Sequence, residues 1–146
     1  MDGEIDPSPI LKRARALGCQ VHRPVITSFR GRRMRFAPYP TCPRPGPAEH
    51  DSTRWLDLVL VPLVGFDADG NRLGMGAGFY DRHFAFLRHR SAWRRPLLIG
   101  LGFELQRVDR LPAGPHDVPL WGVVTERRIH GRAAALHCGK PAENGS

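Results

Sequence analysis

The chain has 146 residues, enough for one domain whose hydrophobic core needs no disulfide staples. Hydrophobic residues make up 41% and charged residues 25% of it, which excludes a wholly disordered chain, and no run approaches the roughly 18 apolar residues of a membrane-spanning helix. The formal charge of +8 favours an anionic ligand such as a nucleotide, a polycarboxylate or nucleic acid, unless it reflects only an arginine-rich composition.

The start of the chain and its cysteines indicate the compartment. The opening MDGEIDPSP is acidic and has no apolar run, so we expect no signal peptide. Cys19, Cys42 and Cys138 are far apart and form no CxxC pair, and the seven histidines have no metal-binding spacing. We therefore expect a cytoplasmic protein with no structural metal.

The N-terminal third predicts one helix and two strands. Ser8-Pro9 combines a capping residue with a proline suited to the first helical turn, and apolar residues follow at helical spacing. Residues 21–26 and 34–36 predict short strands. Residues 38–51 contain five prolines and predict a loop.

The rest of the chain alternates strands with a helix. Residues 56–61 (LDLVLV) form an apolar run typical of a strand buried on both faces and ended by a proline. Residues 63–78 hold five glycines and predict a long loop. An aromatic-rich helix is expected from Phe79 to about Arg90, followed by strands over 97–101 and 120–125.

This alternation predicts the fold class. We expect a three-layer α/β fold with a mostly parallel sheet flanked by helices. Residues 1–132 should form a single domain, and residues 133–146 should be a disordered tail.

A glycine-rich loop between the strongest strand and the helix is the first candidate site. Three glycines alternate there: Gly74, Gly76 and Gly78. They let backbone approach a ligand, and the following helix N-terminus would favour phosphate. Arg72 offers a forked cation, and Asp81 could hold Mg²⁺.

Structural alternatives remain open for each of these residues. The glycines could serve only a sharp turn, and Asp81 could merely complement the helix dipole. Phe79 and Tyr80 could be core aromatics. Asp117, in a second stretch before the last strand, could be a turn residue.

Three stretches taken together resemble one enzyme family. They are GEIDPSPILKRARALGCQVHRPVI at 3–26, VPLVGFDADGNRLGMGAGFYDR at 61–82 and HDVPLWGVVTE at 116–126. In this order they are similar to the 5-formyltetrahydrofolate cyclo-ligase family, over most of residues 3–130. The resemblance implies a Rossmann-like fold and the conversion of 5-formyltetrahydrofolate to 5,10-methenyltetrahydrofolate with ATP and Mg²⁺.

The resemblance also implies roles for individual residues. The implied ATP loop is Arg72, Leu73, Gly74, Met75, Gly76, Ala77, Gly78, Phe79 and Tyr80. Of these, Arg72 and Tyr80 are the implied catalytic residues. The folate is expected against Met75, Gly76, Ala77, Gly78 and Phe79, and against Glu4 and Asp6 near the start of the chain. Asp81 and Asp117 are the implied Mg²⁺ ligands.

Two parts of the family pattern have no counterpart here. The family begins with a basic helix and a first strand, so we expect an N-terminally shortened domain. Residues 40–55 stand where the family has a "G..GI.EP" segment. An inactive relative that binds nucleotide or folate without turnover therefore remains an alternative.

A nucleic-acid-binding function is the third alternative. It would use the basic turn RGRRMR at residues 30–35, but no RNP, helix-turn-helix or zinc-finger pattern accompanies it. A solvated basic loop is the simpler interpretation. The expected partners are ATP and 5-formyltetrahydrofolate, with no membrane partner and a monomeric state.

Overall fold

A computed structural model of the chain describes residues 5–39, 53–74, 78–89 and 95–134. The helices are α1 (Ser8–Ala16) and α2 (Phe79–His83), with 3-10 helices at Thr53–Trp55, Ala85–His89 and Glu104–Gln106. The strands are β1 (His22–Ser28), β2 (Arg33–Pro38), β3 (Leu58–Pro62), β4 (Gly65–Phe66), β5 (Arg72–Leu73), β6 (Leu97–Leu101), β7 (Gly122–Val124) and β8 (Ile129–Gly131). None of the described helices is long and apolar enough to cross a membrane.

The main sheet has the order β3-β6-β7-β8. Strands β3, β6 and β7 are parallel, and β8 returns antiparallel to β7. The predicted α/β fold with a mostly parallel sheet is confirmed. Strand β3 ends at Pro62, as the sequence predicted, but it begins at Leu58 rather than at Leu56. A proline is tolerated there because β3 pairs along one edge only among the described strands.

Strands β1 and β2 form a separate antiparallel hairpin. It packs against α2, where the Phe36 ring lies 5.8 Å from Phe84 and 5.7 Å from His83 between ring centroids. Met34 and Phe36 are buried, and they join the core beneath the main sheet. The hairpin therefore packs directly against α2 and the residue that follows it.

The core lies between the main sheet, the β4–β5 hairpin and α2. Its fully buried side chains include Val61, Phe66, Phe84 and Val123. The aromatic stripe predicted for the helix after Phe79 is confirmed in part, since Phe84 is buried and the neighbouring aromatics pack half-buried against the core. Burial of this kind contributes about 25 cal/mol per Å² of apolar surface.

Two segments around the glycine-rich loop differ from the sequence prediction. The loop predicted over 63–78 contains the β4–β5 hairpin, because the DADGN sequence between these strands makes a tight turn. The helix expected to run to Arg90 leaves α-helical geometry after His83 and continues as a 3-10 helix to His89, as is common at helix C-termini. Arg90 lies outside the described residues.

The last strands also differ. The strand expected over 120–125 is shorter, because the Leu120 N–H donates to Gly70 and the Thr125 N–H to Arg128 in the following turn. Strand β8 was not predicted. Ala133, at the start of the expected tail, is buried against Gly122, and residues 135–146 lie outside the described part of the chain.

Helix α1 has the expected position but a different N-terminus. Pro7 is its N-cap, and the Ser8 side chain makes no capping hydrogen bond. Instead the Ser8 N–H donates to Asp6 Oδ1 at 2.9 Å. Of the predicted apolar stripe, Leu11 and Ala14 are half-buried.

Candidate functional site

Arg72 lies at the centre of the candidate site. It is on β5, and its side chain is only 7% exposed. Its Nη2 donates to Asp81 Oδ1 at 2.9 Å, and its Nη1 donates to the Val118 carbonyl at 2.8 Å. One guanidinium therefore joins the β4–β5 hairpin, helix α2 and the segment before β7.

Of the two predicted metal ligands, Asp81 bonds the backbone of Val118, and Asp117 is the residue before Val118 in the chain. Asp81 Oδ1 also accepts the Val118 N–H at 2.9 Å, so Asp81 is fixed next to the residue that follows Asp117. Asp117 is exposed, and its Oδ2 accepts the Gly114 N–H at 2.7 Å. Among the described residues, neither the second oxygen of Asp81 nor that of Asp117 accepts a hydrogen bond. The structure thus brings Arg72, Asp81 and residues 117–118 together.

The segment before β7 has a further tie to the 3-10 helix after α2. Arg88 Nη1 donates to the Pro115 carbonyl at 2.6 Å. Together with the bonds at Val118, this fixes both ends of residues 115–118. The loop that carries Asp117 is therefore held on a rigid support, which favours precise placement of its carboxylate.

Asp67, which the sequence analysis missed, organises the hairpin turn. Its carboxylate is buried and accepts four hydrogen bonds of 2.9–3.0 Å: the N–H groups of Asp69, Asn71 and Leu111, and Asn71 Nδ2. Burial raises its pKa, but the hydrogen bonds from Leu111, Asn71 and Asp69 outweigh this and hold the pKa below its usual value. The DxxGN pattern, typical of an Asx-stabilised turn, was the signal that could have revealed it.

Gly70 allows this turn to pack against the main sheet. Its φ is +85°, and an added Cβ would lie 2.4 Å from the Leu120 carbonyl oxygen. The Gly70 carbonyl in turn accepts the Leu120 N–H at 2.9 Å. Only glycine fits this contact, which sets the distance between the hairpin and the start of β7.

The described ends of the glycine-rich loop are exposed. Leu73 is 54% exposed, and Gly74 and Gly78 are both exposed, with Gly78 at φ +66°. The predicted ligand contacts at Met75, Gly76 and Ala77 lie outside the described residues. The open surface around Gly74 and Gly78 agrees with a loop that a ligand can reach.

The two aromatics after the loop pack within the protein. Tyr80 stacks on Phe84 with ring centroids 6.3 Å apart, and Phe79 meets Phe29 edge to face at 6.0 Å. Both are half-buried against the core. Helix α2 has only five residues, so its macrodipole would contribute little to the expected phosphate binding at its N-terminus.

The N-terminal carboxylates are less defined. Glu4 lies outside the described residues. Asp6 is exposed, and hydrogen bonds from the Ser8 side chain and backbone lower its pKa. Asp6 thus remains ionised near neutral pH, and its carboxylate accepts the N–H of the first residue of α1. Its predicted folate contact stays a prediction.

A cavity of about 750 Å³ is lined on one side by Val118. Its walls also include Leu87, Leu98 and Trp121, and Arg88 and Arg132 contribute positive charge. This volume is within the range of small-molecule sites. The two arginines make the cavity suited to an anionic ligand.

A second polar cluster lies where β6 and β7 end. Glu104 Oε2 accepts hydrogen bonds from Thr125 Oγ1 at 2.7 Å and His130 Nε2 at 2.8 Å. The bond from His130, followed by that from Thr125, lowers the pKa of Glu104. The cluster joins β8 to the 3-10 helix after β6, and no residue of it was predicted as functional.

The metal prediction can be compared with the donor set. Among the described residues, no group of three or more His, Cys, Asp or Glu side chains could hold a metal ion. Mg²⁺ does not need such a group, because it commonly binds one or two carboxylates together with substrate phosphates and water. The assignment of Asp81 and Asp117 as Mg²⁺ ligands therefore stays a prediction.

Comparison with known sequences gives a consistent family. The model of the 5-formyltetrahydrofolate cyclo-ligase family matches residues 1–126. The 5-formyltetrahydrofolate cyclo-ligase of Escherichia coli K12 is 32% identical over 140 residues, covering 88% of this chain and 75% of that protein. The enzyme of the same name from Haemophilus influenzae is 44% identical over 69 residues, covering 47% of this chain and 35% of that one.

Solved structures with this architecture carry a related name. A 5,10-methenyltetrahydrofolate synthetase from Mycoplasma pneumoniae has a TM-score of 0.61 and 26% identity, covering 83% of this chain and 65% of that chain. A synthetase of the same name from Aquifex aeolicus has a TM-score of 0.63 and 25% identity, covering 90% and 68%. The chain thus spans about two thirds of the length of these structures.

Proposed function

The chain belongs to the 5-formyltetrahydrofolate cyclo-ligase family, and on this premise we propose that it converts 5-formyltetrahydrofolate to 5,10-methenyltetrahydrofolate at the expense of ATP. The observation that carries the proposal is the bonding of Arg72 and Asp81 to Val118. It joins the two most distinctive stretches of the family pattern, 61–82 and 116–126, into one site.

The reaction has two stages. The formyl oxygen attacks the γ-phosphorus of ATP, and ADP leaves with the electrons of the broken phosphoanhydride bond. N10 of the folate then attacks the activated formyl carbon and loses its proton, and phosphate departs carrying the former formyl oxygen. Phosphoryl transfer of this kind depends on positioning and on neutralisation of phosphate charge more than on a general base.

Asp81 and Asp117 are the residues that would hold Mg²⁺, which would neutralise phosphate charge when bound. Each carboxylate has one oxygen fixed by hydrogen bonds. The second oxygen of each keeps lone pairs for a hard cation. Arg72 would orient Asp81 and the loop of Asp117, rather than change protonation during the reaction.

The remaining assignments follow the family pattern. We expect ATP along Arg72–Tyr80, and folate against Met75–Phe79 and near Glu4 and Asp6. The buried guanidinium of Arg72, with both terminal nitrogens donating inside the protein, supports a positioning role for that residue. The cavity lined by Val118 would receive part of one substrate.

The methenyl chromophore gives a direct test. Purified protein is mixed with 5-formyltetrahydrofolate, ATP and Mg²⁺, and absorbance is followed with ATP or Mg²⁺ omitted as controls. We expect a rise that needs both. Binding of ATP or folate without any rise would contradict the proposal and favour the inactive relative.

Two variants and a matched control test the metal assignment. Asp81→Asn and Asp117→Asn should each lower Mg²⁺-dependent turnover about 100-fold or more, because the amide is a poor ligand for Mg²⁺. Asp109→Asn, at an exposed position outside the site, should retain the original rate. Unchanged rates in both site variants would refute the assignment.

A further inference from the structure

The β1–β2 hairpin turn brings a basic segment to the glycine-rich loop. The turn closes through the Arg32 N–H, which donates to the Phe29 carbonyl at 3.2 Å. Phe29 reaches across to Phe79, the first residue of α2, and their rings meet edge to face at 6.0 Å. The tip of the hairpin therefore lies against the end of the loop.

Arg32 has an unusual backbone conformation at this contact. Its φ is +49°, and it is the one non-glycine residue in the left-handed region among those described. Such a conformation is uncommon outside glycine, asparagine and aspartate, and it is often found at functional sites. Here it directs the arginine toward α2 at a place where glycine would be the easier residue.

The guanidinium of Arg32 reaches the backbone of Gly78. Its Nη1 lies 3.8 Å from the position that a Cβ on Gly78 would occupy. Arg32 is exposed, and within the described ranges no carboxylate pairs with it. An exposed, unpaired guanidinium next to a side-chain-free backbone position is suited to an anion that approaches closely.

Arg72 does not meet that need. Its side chain is 7% exposed, and its terminal nitrogens already donate to Asp81 and Val118. A polyphosphate at the loop would therefore need another cation. Arg32 reaches Gly78 from the β1–β2 hairpin, a different element from those that Arg72 joins, so it would supply a second cation for the phosphate chain.

We propose that Arg32 binds the triphosphate of ATP at Gly78, as a phosphate-binding residue supplied by the β1–β2 turn. This inference rests on the proposed function for the identity of the nucleotide. The planar fork of a guanidinium pairs bidentately with phosphate oxygens, and Asp81 three residues after Gly78 would hold the accompanying cation. A folate carboxylate shares this anionic chemistry and is an outcome of the test.

The test compares Arg32→Asn with Arg30→Asn. Asparagine tolerates the left-handed conformation, so the first variant removes the charge with little backbone strain. Arg30 is an exposed arginine in the same turn and controls for the loss of one positive charge. Melting temperatures of both variants establish that each is folded.

Titration calorimetry then measures the dissociation constants of ATP, tripolyphosphate and 5-formyltetrahydrofolate. Arg32→Asn should weaken ATP and tripolyphosphate about tenfold or more, and Arg30→Asn by less than about twofold. Folate affinity should not change in either variant. Equal effects of the two substitutions would overturn the inference, and so would a loss confined to folate.

Turnover of the same samples separates this inference from the proposed function. Arg32-dependent binding of tripolyphosphate without methenyl formation would support the inference and contradict the function. Turnover by the unmodified protein, with polyphosphate binding that does not depend on Arg32, would support the function and overturn the inference. Absence of polyphosphate binding to the unmodified protein would also overturn the inference.

Discussion

Replacing Asp67 by asparagine should be one of the most costly single-atom changes in the chain. Oδ1 accepts two N–H groups, from Asp69 and Asn71, and Oδ2 accepts the Leu111 N–H and Asn71 Nδ2. Whichever way the new amide is oriented, its NH₂ group faces two donors. Two charge-assisted hydrogen bonds are lost in a partly buried turn, which should cost about 2–4 kcal/mol of the free energy of unfolding.

Thermal and urea unfolding followed by circular dichroism measure this cost. At about 3 °C per kcal/mol for a chain of this size, the melting temperature should fall by about 6–12 °C. Asp69→Asn is the matched control in the same turn, because Asp69 is exposed, and should cost less than about 0.5 kcal/mol. A cost for Asp67→Asn as small as that of the control would refute this account of the turn.

The same residue predicts a pH dependence. The pKa of Asp67 is lowered in the folded state, so its contribution to stability is fully present above the unfolded pKa of about 3.9. It is lost as the pH falls through the folded pKa. The stability gap between the original protein and Asp67→Asn should therefore be constant near neutral pH and narrow below about pH 4. A stability difference that stays the same in acid would contradict the view that hydrogen bonds to the ionised Asp67 carboxylate stabilise the fold.

Other substitutions test separate contacts. Gly70→Ala should lower the free energy of unfolding by about 2 kcal/mol or more, because the new Cβ would clash with the Leu120 carbonyl. Gly18→Ala is the control, since Gly18 has the same φ of +85° but no neighbouring atoms, and it should cost only about 1 kcal/mol. Similar costs for the two variants would contradict the close contact at Gly70. Glu104→Gln should lower the melting temperature at pH values above about 4.3, and the difference from the original protein should shrink as the pH falls further, because hydrogen bonds depress the pKa of Glu104 in the folded state. A difference in melting temperature that does not change with pH would refute this. Arg72→Lys should raise the Mg²⁺ concentration for half-maximal turnover about tenfold, because one ammonium group cannot replace both hydrogen bonds of the guanidinium. An unchanged Mg²⁺ requirement would contradict the proposal that Arg72 positions Asp81.

The fold could be predicted where a segment carries its own signal. The apolar runs at 56–61 and 97–101 predict strands, and β3 and β6 form there. The expected burial of 56–61 on both faces is wrong for β3, whose Leu58 is exposed, because β3 pairs along one edge only among the described strands. The helix start near Ser8 is correct to within a residue. Strand β8 has only three residues and includes His130, so no local pattern predicts it. It forms because it pairs with β7 and because His130 bonds Glu104, 26 positions earlier.

The candidate site was predicted in a similar way. Motif spacing and resemblance identified Arg72, Asp81 and Asp117, but not which of them bond each other. The Arg72 side chain points into the protein because it bonds the Val118 carbonyl, 46 residues further along the chain, and no local pattern reveals this contact. Arg32 was noted only as part of a basic turn, because its approach to Gly78 depends on how the β1–β2 hairpin packs against the start of α2.

The long reach of the β4–β5 hairpin has a consequence for synthesis on the ribosome. Asp67 and Arg72 bond residues 44 and 46 positions further along the chain, and Gly70 pairs with Leu120. Such separations slow folding, since long chain closures must precede the contacts that stabilise them. A nascent chain can therefore form the β1–β2 hairpin early, whereas the Arg72 junction must wait until residue 120 has left the exit tunnel.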